Sequence, residues 1–313
     1  MDNNLKISLT ALCDRGYVRE VNEDSCLICQ TQLPREGVSL PVTAYRPLEP
    51  DGTFLVVADG MGGAAAGDVA SQMTVSLIAQ QLPSLQGEEC AQDWVGSVRD
   101  TIARIDTILK QHPIDHPETT GMGTTLALAW IHGDKAHIAW CGDSRCYLFR
   151  PGEGLRQVTN DHSYVQELID KGQLSPDEAL SHPESNVITR CMGDTDTPSQ
   201  ADTTTIDLQP NDLLLLCSDG LCGYCTDDEI SRIVRSHYTD IGAMCQALFD
   251  AALATGGYDN ITIALASLIS ADAQKPTLPR SSLFGRMKQI VSHCFHTLFA
   301  VRDKNDEPIQ IAD

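Results

Sequence analysis

The stretch Thr53-Phe-Leu-Val-Val-Ala-Asp-Gly-Met-Gly-Gly63 sets a short, unbroken apolar run against an abrupt glycine-rich stop. Without helical spacing, the run predicts a strand over 53–58 that is buried on both faces. Asp59 and Gly60 end it. A carboxylate at the end of a buried strand is costly unless something balances its charge, and the glycine lets the backbone turn sharply. A helix is expected next, with Val69, Met73, Leu77 and Ile78 along one face. The same grammar recurs at Asp212-Leu-Leu-Leu-Leu-Cys-Ser-Asp-Gly220, where a second buried strand over 212–217 halts at Asp219 and Gly220.

Outward from these two runs, strands are predicted over 5–13, 25–30, 124–131, 136–141, 145–149 and 260–268. Helices are predicted over 94–110, 163–171 and 176–180, and again from Thr226 and from Ile241. Asp227, Asp228 and Glu229 suit the first turn after Thr226, where the helix dipole favours negative charge. Residues 31–51 carry Pro34, Pro41, Pro47 and Pro50 with no period, which predicts an exposed loop. The organisation read from this is a catalytic α/β domain over 1–270, followed by a linker and an amphipathic helix over 271–313. In that tail Leu283, Phe284, Met287, Ile290, Val291, Cys294, Phe295 and Leu298 recur at helical spacing. Arg286 and Lys288 flank the stripe, so the helix is not expected to span a membrane. It is expected either to dock on a partner or membrane surface or to fold back on the domain.

The chain of 313 residues holds 43 acidic and 22 basic side chains, a formal charge of −21. That balance argues against a nucleic-acid surface. No apolar leader follows Met1 and no long uncharged run suggests a span, so a cytoplasmic location is expected. The twelve cysteines then read as reduced thiols. Cys26 and Cys29 are expected on opposite faces of one strand, and Cys222 and Cys225 give only a weak zinc signal.

Four aspartates share one position in the pattern. Asp59 and Asp219 follow apolar strands, Asp143 follows His137-Ile-Ala-Trp-Cys-Gly142, and Asp259 precedes the strand that starts at Asn260. Alone, each reads as a turn residue or helix cap. Together with Glu23 and Asp24, and with no His or Cys cluster, they suggest hard cations held by oxygen, magnesium or manganese. Such a cluster activates water and offsets charge on a phosphoryl group. Arg19, just before Glu23, is the candidate to hold the phosphate through its guanidinium fork; the competing reading is a surface arginine.

Read together, Arg19-Glu-Val-Asn-Glu-Asp24, Ala58-Asp-Gly-Met-Gly-Gly63, Gly121-Met-Gly-Thr-Thr125, Cys141-Gly-Asp-Ser-Arg145, Thr159-Asn-Asp-His-Ser163, Cys217-Ser-Asp-Gly-Leu221 and Gly257-Tyr-Asp-Asn-Ile-Thr262 resemble the metal-dependent PPM, or type 2C, serine/threonine protein phosphatases. The resemblance implies a two-sheet β-sandwich flanked by helices in α-β-β-α layers. It implies Mn2+ or Mg2+, two ions tightly bound and a third weaker. Water bridging the tight pair attacks phosphoserine or phosphothreonine. Asp59 looks like the bridging ligand with the Gly60 carbonyl beside it, Asp219 and Asp259 like further ligands, and Glu23 and Asp24 like groups that orient bound water. Asp143 with Asp219 resembles the third site, and Arg19 the phosphate-binding arginine. Residues 162–192 match the flap beside the cleft, expected to affect substrate choice. Phosphorylated proteins, and a cognate kinase whose action is reversed, are the implied partners of a monomer. Met61 stands where eukaryotic members often carry a histidine, so the form is similar to bacterial members. His162 is the alternative proton donor, weighed against a structural role. A non-catalytic binder of phosphoproteins and a metabolite phosphoesterase are the competing functions.

Overall fold

The computed structural model describes residues 5–270 except 30, 34–41, 48–50, 63–65, 82–84, 86–90, 180 and 196–198. The amphipathic tail predicted within 271–313 therefore lies outside the described residues. Two antiparallel sheets face each other. The first runs β10 (Gly154–Gln157), β9 (Arg145–Arg150), β12 (Leu213–Cys217), β13 (Ile261–Ser270), β1 (Leu5–Asp14), β4 (Val42–Pro47). The second runs β11 (Asp202–Asp207), β8 (Lys135–Cys141), β7 (Leu126–His132), β5 (Thr53–Met61), β2 (Asp24–Ile28), β3 (Thr31–Gln32), with β6 (Gly123–Thr124) pairing the end of β5.

Period-two alternation sorts each strand between two cores. Leu214 and Leu216 join Ile7, Leu9, Leu55 and Val57 between the sheets. Leu213 and Leu215 face the other way, onto helices α6 (Asp227–Ser236) and α7 (Ile241–Ala254). On the far side, Phe54, Val56, Leu128 and Trp130 pack under α1 (Gly67–Gln81) and α2 (Trp94–Asp115). Helix, sheet, sheet, helix is thus the layer order, and it explains why runs such as Leu213–Cys217 are apolar at every position although the sheets are antiparallel. Thr226 caps the start of α6 with a capping box to Glu229, worth about 1 kcal/mol in such positions. Shorter helices complete the chain: α3 (Tyr164–Asp170), α4 (Pro176–Ala179) and α5 (Asp219–Cys222).

Three expectations change. The loop predicted over 31–51 contains β3 and β4; β4 pairs with β1 from Lys6↔Pro47 to Ala11↔Val42, and its closing proline is tolerated because the strand is a sheet edge. The face of α1 pressed flat on the sheet is Ala70, Ser71, Thr74, Val75 and Ile78, with Val69, Met73 and Leu77 only partly buried on its flanks. Small residues win that face because Gly67 abuts Gly60. Cys29 does not oppose Cys26. It follows β2 with φ 63°, which turns it back onto the same inter-sheet core. The ten described cysteines are free thiols, and Cys222 and Cys225 belong to the core under α6 and α7.

Candidate active site at the sheet edge

At one edge of the sandwich the acidic strand ends of both sheets meet. Asp24 opens β2 and lies directly opposite Asp59 on β5. Asp143 sits in the turn between β8 and β9, Asp219 starts α5 just after β12, and Asp259 precedes β13. The Asp59 and Asp219 carboxyls are close enough for each to shift the other's pKa. Burial first, then the neighbouring carboxylates, raise Asp59, Asp143 and Asp219 above the usual carboxylate range. Asp24 is fully buried and pushed up to about 7, chiefly by burial, although two hydroxyl donors pull it back.

Main-chain geometry fixes these groups. A Cβ at Gly60 would fall 2.0 Å from the Gly67 carbonyl oxygen, and one at Gly220 would fall 1.9 Å from that of Asn260; only glycine allows either approach. The Gly60 N–H donates to the Glu23 carbonyl at 3.2 Å, tying the Glu23-Asp24 segment to the end of β5. The Asp59 carbonyl accepts from Thr125 N at 2.8 Å and from Thr124 Oγ1 at 2.9 Å, and its own N–H donates to Thr125 Oγ1.

Several of these positioning groups carry no role in the sequence reading. Ser218 Oγ and Thr262 Oγ1 each donate to Asp24 Oδ2 at 2.7 Å, so the first sheet orients an acid of the second. Thr125 and Ser144 share a 2.7 Å hydrogen bond, linking the Asp59 and Asp143 turns. Asn260 accepts from Glu23 N at 2.7 Å and donates to the Arg15 and Val21 carbonyls at 3.0 Å, which pins the loop carrying Arg19. Ser218, Thr125 and Asn260 all fall inside the quoted motifs, but their partners are on other strands, and sequence adjacency does not reveal them.

Arg19 reaches the same edge. Its Nη2 lies 2.8 Å from Asp259 Oδ2 and its Nη1 4.0 Å from Glu23, with 47 % of the side chain exposed. The structure thus brings Arg19, Glu23, Asp24, Asp59, Gly60, Asp143, Asp219 and Asp259 to one edge. His162 is held apart from them. Gly142 N–H donates to its Nδ1 at 3.1 Å and its Nε2 meets Asp202 at 3.1 Å, so both nitrogens are engaged and burial lowers its pKa. The structural role wins for this histidine.

The donor set is carboxylate and carbonyl oxygen, and its crowded negative charge is what a hard cation would relieve. Among the described residues no three acidic, His or Cys side chains close around one point by themselves.

A family model described as protein phosphatase 2C matches residues 47–259. The chain is 34% identical over 255 residues to a serine/threonine phosphatase, stp, of Listeria monocytogenes, covering 80% of this chain and 92% of that one. It is 40% identical over 225 residues to the protein phosphatase PhpP of Streptococcus pneumoniae, covering 71% and 88%. Among solved structures, the catalytic domain of the serine/threonine protein phosphatase PstP in complex with 2 manganese ions superposes with a TM-score of 0.68 at 30% identity, covering 85% of this chain and 99% of that one.

Proposed function

Because the chain belongs to the protein phosphatase 2C family and is a serine/threonine protein phosphatase, we propose that it hydrolyses phosphoserine and phosphothreonine in proteins with two manganese or magnesium ions, reversing the action of a protein kinase. Bound at this edge, the metals supply a nucleophilic water at neutral pH and offset charge on the phosphoryl group. Asp59, Asp219, Asp259 and the Gly60 carbonyl are the groups that would hold them. Glu23 and Asp24 orient the surrounding water, and Asp143 with Asp219 makes a looser third position. Arg19 receives the phosphate: its guanidinium is anchored on one side by Asp259 and half exposed on the other, leaving donors for two phosphate oxygens. Met61 offers no proton and His162 is engaged on both ring nitrogens, so solvent protonates the leaving alkoxide.

The observation that carries this reading is the meeting of the strand ends at one edge: Asp24 opposite Asp59, Asp219 just after β12, and Asp259 paired with Arg19. Hydrolysis of p-nitrophenyl phosphate and of a phosphothreonine peptide should require added manganese or magnesium and stop in excess chelator. Asp59→Asn and Asp219→Asn should each lower turnover by several orders of magnitude. Full activity of metal-free protein in chelator would sink the reading.

A further inference from the structure

Beside the catalytic edge opens a cavity of about 810 Å3, within the roughly 300–1,000 Å3 range of ligand clefts and far roomier than one phosphorylated side chain requires. Asp143 and Asp219 are among the residues that line it. One wall is the flap segment, including Ser163, Gln166 and Asn186, and the other runs from Cys222 to Asp228. The space thus adjoins two of the site's acids and has room beyond them for the residues that flank a phosphorylated side chain.

The chemistry of the outer wall is uneven. Arg145 is the one cation among the described lining residues, and it is already held by Asp161 at 2.7 Å and Asp227 at 3.5 Å. Asp227 Oδ1 also accepts from Tyr147 at 2.9 Å, which fixes that carboxylate in place. Asp228 is exposed on the same first turn of α6, while Glu229 is committed to the capping box. Tyr224 lines the same cavity as these acids, its ring 6.0 Å from that of Tyr258. Tyr224 is 37 % exposed and Tyr258 54 %. Exposed aromatic faces beside anchored carboxylates attract cationic side chains through both the ring quadrupole and the charge.

Building on the phosphatase reading above, we propose that this groove takes the peptide flank of the phosphorylated residue and selects for arginine or lysine there, the cation resting on Tyr224 beside Asp227 and Asp228. Tyr224, Asp227 and Asp228 are specificity-determining and take no part in the hydrolysis.

The test compares kcat/KM, with manganese added, for phosphothreonine peptides that differ only in arginine or glutamine, scanned through the flanking positions on each side. At one or more adjacent positions on one side, arginine should raise kcat/KM about fivefold to tenfold, the product of an exposed ion pair and a cation–π contact. The arginine-to-glutamine ratio should fall towards one in Asp228→Asn and in Tyr224→Leu, and recover in Asp228→Glu. Equal kcat/KM for both peptides at every position overturns the inference and leaves the phosphatase reading standing. So does an arginine preference that both variants keep unchanged. If the folded, manganese-loaded protein turns over none of the peptides, the phosphatase reading fails and this inference fails with it.

Discussion

Arg19 illustrates what one residue does at this edge and what the sequence could say of it. Its type and its distance from Glu23 suggest a phosphate clamp, but the 2.8 Å contact with Asp259 adds that the same guanidinium competes for a carboxylate assigned to a metal. Arg19→Ala should raise KM for phosphopeptides and lower kcat/KM roughly tenfold to a hundredfold, the loss of a charge-assisted contact of about 1.5–3 kcal/mol. Manganese affinity, read by calorimetry, should hold or rise, because Asp259 is freed from its cation. Loss of manganese binding would make Arg19 a structural residue instead. The acids themselves were legible because six carboxylates at strand ends, three of them following apolar strands, are more than turns and caps require. The hydroxyls of Ser218 and Thr262 were not legible, because their role exists only where neighbouring strands of one sheet bring them within 2.7 Å of Asp24 on the other.

Elements differ in how plainly the sequence announces them. Strands whose both faces are buried, such as β5 and β12, read as solid apolar runs, and α6 declares itself through Thr226 and Glu229. β4, with proline at its end, and β11, Asp-Thr-Thr-Thr-Ile-Asp, are edge strands with little apolar pattern to read. Their place follows from pairing with β1 and β8. The docking of α1 on β5 is likewise set by contact geometry. A Cβ at Gly67 would meet the Gly60 carbonyl carbon and Met61 nitrogen at 2.7 Å. Helix propensity alone predicts that Gly67→Ala gains up to about 1 kcal/mol, whereas backbone overlap predicts a loss of about 1–3 kcal/mol. The overlap should win, because backbone cannot swing aside. Gly67→Ala should therefore melt lower than the parent and bind manganese more weakly, as the helix pushes on the Asp59-Gly60 turn. A variant that melts higher with unchanged manganese affinity would show that the helix slides freely on the sheet.

At the scale of the whole molecule, three stacked apolar layers position a polar edge. Among the described residues no helix is long and apolar enough to cross a membrane. The four-layer architecture was foreseen through a resemblance of motifs; periodicity alone gave the strands and left their order open. His137 shows the cost of placing a titratable group in a layer. It lies on β8, 4 % exposed, with its ring 5.5 Å from Trp94 and 5.1 Å from Trp130 and its Nδ1 3.0 Å from Thr205 Oγ1 on β11. Burial, with help from nearby His132 and Lys135, lowers its pKa to about 4 from 6.5. Between those two values the unfolded chain binds the proton more readily than the folded one, so stability must fall as pH drops through the window and level off below it. At about 1.4 kcal/mol per pKa unit the full loss is on the order of 3 kcal/mol. His137→Gln keeps a hydrogen-bonding group for Thr205 but cannot take up the proton. Chemical denaturation from pH 7 to pH 4 should therefore show the parent losing stability relative to His137→Gln, with the difference opening below about pH 6.5 and every other titrating group cancelling between the two. If the parent instead gains on the variant as pH falls, His137 is charged in the fold and a carboxylate must face it from α2 or β11.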